Sequence, residues 1–388
     1  MSVLRQFCNM EKLYDIDSYT KEFTARVISC EKVENGFKCL LDRTAFFPEQ
    51  GGQKGDTGRI GQAEVFDTQI ENSFVYHYTR QELETDREYL CALDWEERFK
   101  KMQIHTAEHI FSGIANKLFG CENTGFHLDN TVTVDFDIFL TEEQLLTLEY
   151  ETNKAIWSNK SIKAYFPDEA QLEKIPYRSK KEVYDGKVRI VEIEDIDICA
   201  CCAPHLKTTA EAGMFKILWW MKHKGGIRIF VTAGQMAFSD YKNKWENAKH
   251  ISNLLSVPVE NIADGVTRLN DTLTETKRIL AEKNNLLAQQ FVEGLPYKEG
   301  NHCVLFDELN SNALINLVNM GKDKCSGLFV LCFETQDALR YIIGSNSVDV
   351  GEKAKEINSA LSGRGGGRGS MIQGSFNVSF EEVKKYFI

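Results

Sequence analysis

Between about residues 20 and 90 short apolar runs alternate with polar positions, and glycines punctuate them. Phe37-Lys38-Cys39-Leu40-Leu41 and Glu64-Val65-Phe66 are two such runs, which predicts short strands joined by tight turns. A small β-barrel over 1–90 is the expected product. Beyond it, Ile110, Phe111, Ile114 and Leu118 fall at helical spacing behind His105 and His109, so a helix with that apolar stripe is predicted. Val132, Val134, Phe136 and Ile138 alternate with Thr133, Asp135 and Asp137, the mark of a half-buried strand. Thr141 with Gln144 forms a capping box for a helix running towards Trp157. Residues 189–198 read as one further strand leading into a cysteine-rich segment, and 213–231 as more strands. The mixture predicts an α+β domain over 91–235.

The pattern then changes. Ile262, Val266, Leu269, Leu273, Leu280 and Leu287 recur at spacings of three, four and seven, with Thr276 in an intermediate seam position. That predicts a long helix or coiled-coil arm over 236–294, a spacer or dimer seam, stopped by Gly294 and Pro296. A compact C-terminal α/β domain follows over 295–388, with strands at 303–306, 328–333, 339–344 and 371–376. Helices are expected at 313–320 and 352–361, and Ser379 with Glu382 caps a last one. Gly363-Arg364-Gly365-Gly366-Gly367-Arg368-Gly369 reads as a loop whose exposed amides, with Arg364 and Arg368, suit phosphates.

At 388 residues the chain is long enough for two or three cored domains, and 43% hydrophobic with 27% charged residues is ordinary for a globular protein. No apolar run approaches a membrane span, and Met1-Ser2-Val3-Leu4-Arg5-Gln6 lacks a secretory core, so a cytoplasmic protein is expected. Eleven scattered cysteines, an odd number, suggest reduced thiols with a few serving a metal. The net charge of −11 argues against indiscriminate binding of polyanions but leaves local basic faces open. Two candidates are Lys174, Arg178, Lys180, Lys181, Lys187 and Arg189, and Lys222, His223, Lys224 and Arg228 beside Trp219 and Trp220.

Candidate chemistry centres on two segments, His105-Thr106-Ala107-Glu108-His109 and Cys201-Cys202-Ala203-Pro204-His205. Two histidines four apart on a helix share a face and can reach one ion. A thiolate and an imidazole at the same spacing would complete a tetrahedral set of three nitrogens and a sulfur, which suits Zn2+. The neighbours Cys199 and Cys202 leave the thiolate open, although helical spacing to His205 favours Cys201. Upstream lies Thr44-Ala45-Phe46-Phe47-Pro48-Glu49-Gln50-Gly51-Gly52-Gln53-Lys54-Gly55-Asp56-Thr57-Gly58, whose glycine pair alone would mean only a tight turn. Together the three segments resemble the editing domain of alanyl-tRNA synthetase and the freestanding alanyl-tRNA editing proteins. That family reads T-x-F-Y-x-E-x-G-G-Q-x-x-D-x-G, then H-T-A-x-H, then C-x-x-x-H. Here Phe47 stands in place of the usual Tyr. The glycine-rich segment resembles a loop in the C-terminal domain of alanyl-tRNA synthetase that is shared with DHH-type phosphoesterases; no Asp-His-His triplet accompanies it.

The resemblance implies a freestanding, long-form hydrolase without an aminoacylation domain. Its substrate would be tRNA(Ala) mischarged with serine or glycine, with Ala-tRNA(Ala) spared. By the same resemblance Thr44 reads the serine hydroxyl, Gly51 and Gly52 shape the loop beside it, and Gln53 holds the substrate or the loop. His105, His109, Cys201 and His205 would hold Zn2+, and Arg364 and Arg368 would contact the tRNA; the local basic charge adds Arg228 to those contacts. A second copy of the chain, joined through the arm or the C-terminal domain, is a further implied partner. Four protein ligands usually mark a structural site, so zinc either admits water or positions the tRNA 3′ end. Glu108 points about 100° away from His109 on a helix and is given no role as a base. Two other readings remain: an H-x-x-E-H zinc protease of the inverted type, and a non-catalytic tRNA-binding protein with a structural zinc.

Overall fold

The computed structural model describes residues 10–129, 131–179, 187–307 and 309–388. It divides into two compact units, Met1–Asn247 and Ala248–Ile388. Both mix helices with mainly antiparallel sheets, an α+β architecture.

In the first unit six strands pair in a closed order: Glu22–Val33, Gly36–Leu41, Phe74–Thr79, Ala63–Glu71, Gly58–Ile60 and Glu88–Leu93, the last returning to the first. Alternation along Glu22–Val33 sends Phe23, Ala25 and Val27 inward, where they meet Leu41, Phe46, Ile60 and Val65. Asp94 then caps the helix Trp95–Phe119, its side chain accepting from the Glu97 amide, and Gly120 in left-handed conformation (φ 68°) ends it. The helix is not one-faced as its stripe suggests. Every residue from Met102 to Ala115 is buried, because sheets and helices cover it on all sides, whereas Leu118 is 49% exposed.

A four-stranded antiparallel sheet runs Phe215–His223, Gly226–Ala233, Val132–Phe136, Asn123–Leu128. Phe111 packs between Phe136 and Phe215, with ring centroids 5.5 and 4.8 Å away. The strand Val132–Phe136 is buried on both faces, against the half-buried expectation. Asp135 tolerates this because Arg228 grips it with two hydrogen bonds of 2.7 and 2.6 Å. Thr141 and Gln144 form the expected capping box on Glu142–Trp157. Residues 189–198 are a hairpin rather than one strand: Ile190–Ile193 turns through Asp195 (φ 60°) into Asp197–Ala200, and Ile162–Tyr165 completes a three-stranded sheet.

The arm expected over 236–294 is two helices, Gly234–Leu255 and Ile262–Gly294. Pro258 lacks the amide a helix needs and Ser256 turns left-handed (φ 53°), so the single arm is interrupted there, while the apolar repeat from Ile262 to Leu287 lies within the unbroken second helix. In the second unit Ala288 and Val292 of the later helix pack on Leu314, Leu317 and Val318 of the helix Ser311–Gly321, while Leu269, Leu273 and Leu280 are exposed. Its five-stranded sheet runs His302–Leu305, Phe329–Glu334, Leu339–Gly344, Met371–Phe376, Arg364–Arg368. The last strand corrects the expected loop: residues 364–368 pair with 371–376 along the sheet edge. A Cβ on Gly365 would stand 2.4 Å from the Gln373 carbonyl oxygen, so the glycines allow close strand approach. The remaining helices, Val350–Ala360 and Phe380–Phe387, lie near their expected positions, the latter with the Ser379/Glu382 capping box. No helix among the described residues is long and apolar enough to cross a membrane.

Candidate functional site

Gly51 and Gly52 form a two-residue turn, both with positive φ (61° and 76°), closed by reciprocal backbone bonds between Gln50 and Gln53 of 3.0 and 3.1 Å. The Gly52 carbonyl accepts from the Leu128 amide at 3.0 Å, and a Cβ on Gly52 would come within 2.6 Å of the Phe126 oxygen. Glycine is therefore required where the turn meets the strand Asn123–Leu128. The turn delivers the buried Gln53 side chain to His105, whose Nδ1 donates to Gln53 Oε1 at 3.2 Å.

The other two imidazoles also face a polar group at Nδ1. His205 Nδ1 lies 3.1 Å from Thr106 Oγ1, which also accepts from the Leu206 amide. His109 Nδ1 faces Asp197 Oδ2 at 3.6 Å, beyond hydrogen-bond length, and is otherwise a buried unpartnered nitrogen. Fixing Nδ1 leaves each Nε2 to point inward, and this is the usual arrangement of metal-ligating histidines. Cys201 Sγ lies 3.6 Å from His105 Nε2 and 3.4 Å from His205 Nε2. One ligand atom from each of His105, His109, Cys201 and His205 falls within 4.8 Å of all the others, a group that could hold a metal ion. His109, Asp197 and Cys199 form a second, overlapping group.

Cys201 and His205 do not reach this point by helical spacing. The segment that carries them is irregular, and Arg189 shapes it by donating to the Cys201 and Ala203 carbonyls at 3.0 and 2.9 Å. Arg178 acts similarly on the far side, gripping Asp197 through two bonds of 2.7 Å. Burial pushes the Asp197 carboxyl up, but those bonds outweigh it and hold the group below its ordinary range. Burial also raises the Cys201 thiol, yet His105 and His205 pull it well below normal, favouring thiolate. Burial drives His205 down to about 3, against the pull of Cys201. His109 moves the other way: burial would lower it, but Cys199 and Asp197 raise it well above its ordinary value.

The cluster opens on a cleft of about 340 Å³ lined by Gly51, Gly52, Glu108, Asn123, Phe126 and Arg178 among others. Glu108 corrects the helical-wheel argument. Its flexible side chain bends into the cleft, where Oε2 lies 4.0 Å from His109 Nε2. Oε1 accepts from Ser112 Oγ and from Asn123 Nδ2, the latter at 2.6 Å.

Other expected residues stand apart. Thr44 is fully buried and does not line the cleft; its hydroxyl lies 2.8 Å from His77 Nε2 and accepts from the Phe46 amide at 3.0 Å. Burial lowers His77 to about 4, so it meets Thr44 as a neutral ring. Arg228 is committed to Asp135, and Arg178 and Arg189 are internal braces rather than parts of a basic face. Lys174 and Lys187 are exposed, while Lys180, Lys181 and residues 1–6 lie outside the described residues. Arg364 and Arg368 are exposed on the edge strand of the second unit. Ser112, Asn123 and Asp197 carry no signal of their own in the sequence, although Asp197 stands two residues before Cys199, and Thr106 lies within the H-T-A-x-H segment without having been given a role.

Residues 188–230, which include both Cys201 and His205, match the family described as threonyl and alanyl tRNA synthetase second additional domain. The alanyl-tRNA editing protein AlaX-L of Pyrococcus horikoshii is 28% identical, over 96% of this chain and 96% of its own. The Rattus norvegicus alanyl-tRNA editing protein Aarsd1 is 26% identical over 92% of each chain. An alanine–tRNA ligase from Ignicoccus hospitalis is 28% identical over 92% of this chain and 40% of its own. The chain is thus similar along nearly its whole length to the freestanding alanyl-tRNA editing proteins, and is related to alanyl-tRNA synthetase, with residues of the three motifs gathered at one cleft.

Proposed function

We propose that the protein is a trans-editing deacylase: it hydrolyses the ester of Ser-tRNA(Ala), and of Gly-tRNA(Ala), and spares Ala-tRNA(Ala). Water adds to the ester carbonyl, the acyl–oxygen bond breaks, and free amino acid and a tRNA 3′-hydroxyl result. The observation that carries the reading is the convergence of three imidazoles, with Nδ1 atoms turned to Gln53, Thr106 and Asp197, on Cys201 beside an open cleft. Such a hydrolytic site is useful because a pocket built for alanine cannot strongly reject an analogue that adds one hydroxyl. A pocket that hydrogen-bonds that hydroxyl spares alanine, which leaves the polar groups unpaired.

The donor set, three nitrogens and a thiol drawn towards thiolate, fits zinc, and we assign His105, His109, Cys201 and His205 to hold it. Bound there, zinc would supply Lewis acidity at the ester or fix the tRNA end. Gln53 is then a positioning residue. Gln53→Leu is expected to weaken zinc affinity roughly ten- to a hundredfold, read by competition with a chromogenic chelator. Unchanged affinity would mean that packing alone orients His105.

The protease reading needs a downstream carboxylate as ligand, and Asp197, the carboxylate nearest His109 Nδ1, is bound by Arg178. The binder reading leaves the space beside the histidines without a use. Within this proposal the barrel over 1–90 and the domain over 91–235 perform the chemistry. The arm over 236–294 and the domain over 295–388, with Arg364 and Arg368, engage tRNA in a cytoplasmic protein.

The decisive test is deacylation of tRNA(Ala) charged in turn with serine, glycine and alanine, with zinc measured on the same sample. Zinc-dependent loss of serine and glycine, with alanine retained, is expected; rates equal to those in buffer would end the proposal. In the same assay Thr44→Val should blunt the preference for serine while zinc content holds, because it removes the hydroxyl that orders Phe46 and His77. An unchanged preference would remove Thr44 from discrimination.

A further inference from the structure

Glu108 is the position that the family pattern H-T-A-x-H leaves unspecified, so nothing in the motif accounts for a carboxylate there. It is only 4% exposed, yet it borders the cleft. Its Oε1 is fixed by the Ser112 hydroxyl and the Asn123 amide, and Asn123 is itself oriented by accepting from the Gly125 amide at 2.9 Å. Its Oε2 is given no hydrogen bond among the described residues and is not sealed from the cleft. Among those residues the one ion-pair partner within 4.0 Å is His109 Nε2, an atom already assigned to the metal. Arg178, the single lysine or arginine lining the cleft among the described residues, is gripped by Asp197. A buried carboxylate held in place by two donors, and paired with no lysine or arginine among the described residues, is suited to a ligand that brings a cation.

We infer that Glu108 binds the α-ammonium of the aminoacyl ester through Oε2. This inference rests on the deacylase reading. The ammonium nitrogen of such an ester lies two bonds from the carbonyl carbon. A carbonyl held next to the histidine cluster therefore brings that nitrogen within reach of an oxygen 4.0 Å from His109 Nε2. The charge-assisted contact selects free aminoacyl esters over uncharged acyl esters, including N-acylated ones, which have no cation to offer. It is a second axis of specificity, independent of the side-chain hydroxyl.

The test compares Ser-tRNA(Ala) with the same tRNA carrying the α-hydroxy analogue of serine, each rate divided by its spontaneous hydrolysis. The unmodified protein is expected to prefer the ammonium ester by roughly ten- to a hundredfold in kcat/KM, the worth of a hydrogen bond to a charged group. Glu108→Gln should erase that preference by slowing only the ammonium ester, chiefly through KM, with zinc content unchanged. Equal corrected rates for the two esters with the unmodified protein would overturn the inference without recourse to any variant. Equal slowing of both esters by Glu108→Gln would overturn it as well, since Glu108 would then serve a step common to both. Loss of zinc in the variant would make Glu108 a ligand instead and overturn it too. Hydrolysis of neither ester would defeat the deacylase reading itself, and this inference with it.

Discussion

Cys201→Ala is expected to strip the protein of zinc and to slow deacylation of Ser-tRNA(Ala) by roughly a thousandfold or more, the several kcal/mol that a bound Lewis acid contributes to an acyl-transfer barrier. His109→Ala should behave alike. The expectation follows from geometry: Cys201 Sγ is within 3.6 Å of two imidazole nitrogens, and the same imidazoles draw its thiol towards thiolate. The neighbouring cysteines supply the controls. Cys202 is buried against Tyr14, Phe47 and Ala203, so Cys202→Ala should keep both metal and activity. Cys199 is the sharper control, because it shares an overlapping ligand group with His109 and Asp197. If Cys199→Ala emptied the site and Cys201→Ala did not, the ligand set would be the second group and the inward orientation of His205 Nε2 would need another cause. Metal analysis by mass spectrometry, paired with tryptophan fluorescence to confirm the fold, separates these outcomes.

The pairing of His105 with His109 could be read from spacing because a helix translates sequence distance directly into a shared face. Cys201 and His205 were found for a partly wrong reason. Their separation matched a helix, yet they converge through an irregular segment shaped by Arg189. That arginine, with Arg178 and Arg228, read as surface charge and proved to be internal bracing. A run of basic residues shows charge but not partner, and Asp135, the partner of Arg228, lies 93 residues away. The glycine-rich segment erred in the same manner: lack of a Cβ permits both a loop and two closely packed strands, and only the register with Met371–Phe376 decides between them. In the helical arm the apolar repeat from Ile262 to Leu287 does mark one helix, and only the extension back to residue 236 fails, because Pro258 divides it from Gly234–Leu255. Glu108 was dismissed on the direction of its Cα–Cβ bond, although three further rotatable bonds carry its carboxylate to the cleft.

The largest effect on stability is expected at a residue no motif assigned to the site. Arg98→Met should lower the unfolding free energy of the first unit by about 3–5 kcal/mol, since it takes the hydrogen-bonded guanidinium from a buried carboxylate and leaves it only Lys101 Nζ, 3.7 Å from Oδ1. Arg98 and Asp56 have side chains 1% and 2% exposed and form an ion pair, with Arg98 Nε donating to Asp56 Oδ2 at 2.8 Å. Asp56 is the aspartate of the upstream motif, and its Oδ2 also accepts from the Phe47 amide at 2.7 Å. The same guanidinium donates to the carbonyls of Ala45 at 2.5 Å and Ser18 at 3.3 Å. One turn later Lys101 donates to the carbonyls of Lys54 and Gly55 at 3.1 and 2.7 Å. The helix that carries His105 and His109 thus holds both ends of the segment that carries Gly51, Gly52 and Gln53. All five tryptophans lie within Met1–Asn247, so the midpoint of denaturant unfolding followed by their fluorescence reports this unit alone. Arg98→Lys should recover only part of the loss, because an ammonium cannot reproduce the planar fork that reaches three acceptors. Pairing Arg98→Met with Asp56→Asn should cost less than the two changes summed, since the orphaned charge is gone. A shift below about 1 kcal/mol for Arg98→Met would mean that water or a rearranged neighbour satisfies Asp56, and the coupling of the turn to the histidine helix would then have to run through Lys101 and backbone contacts instead.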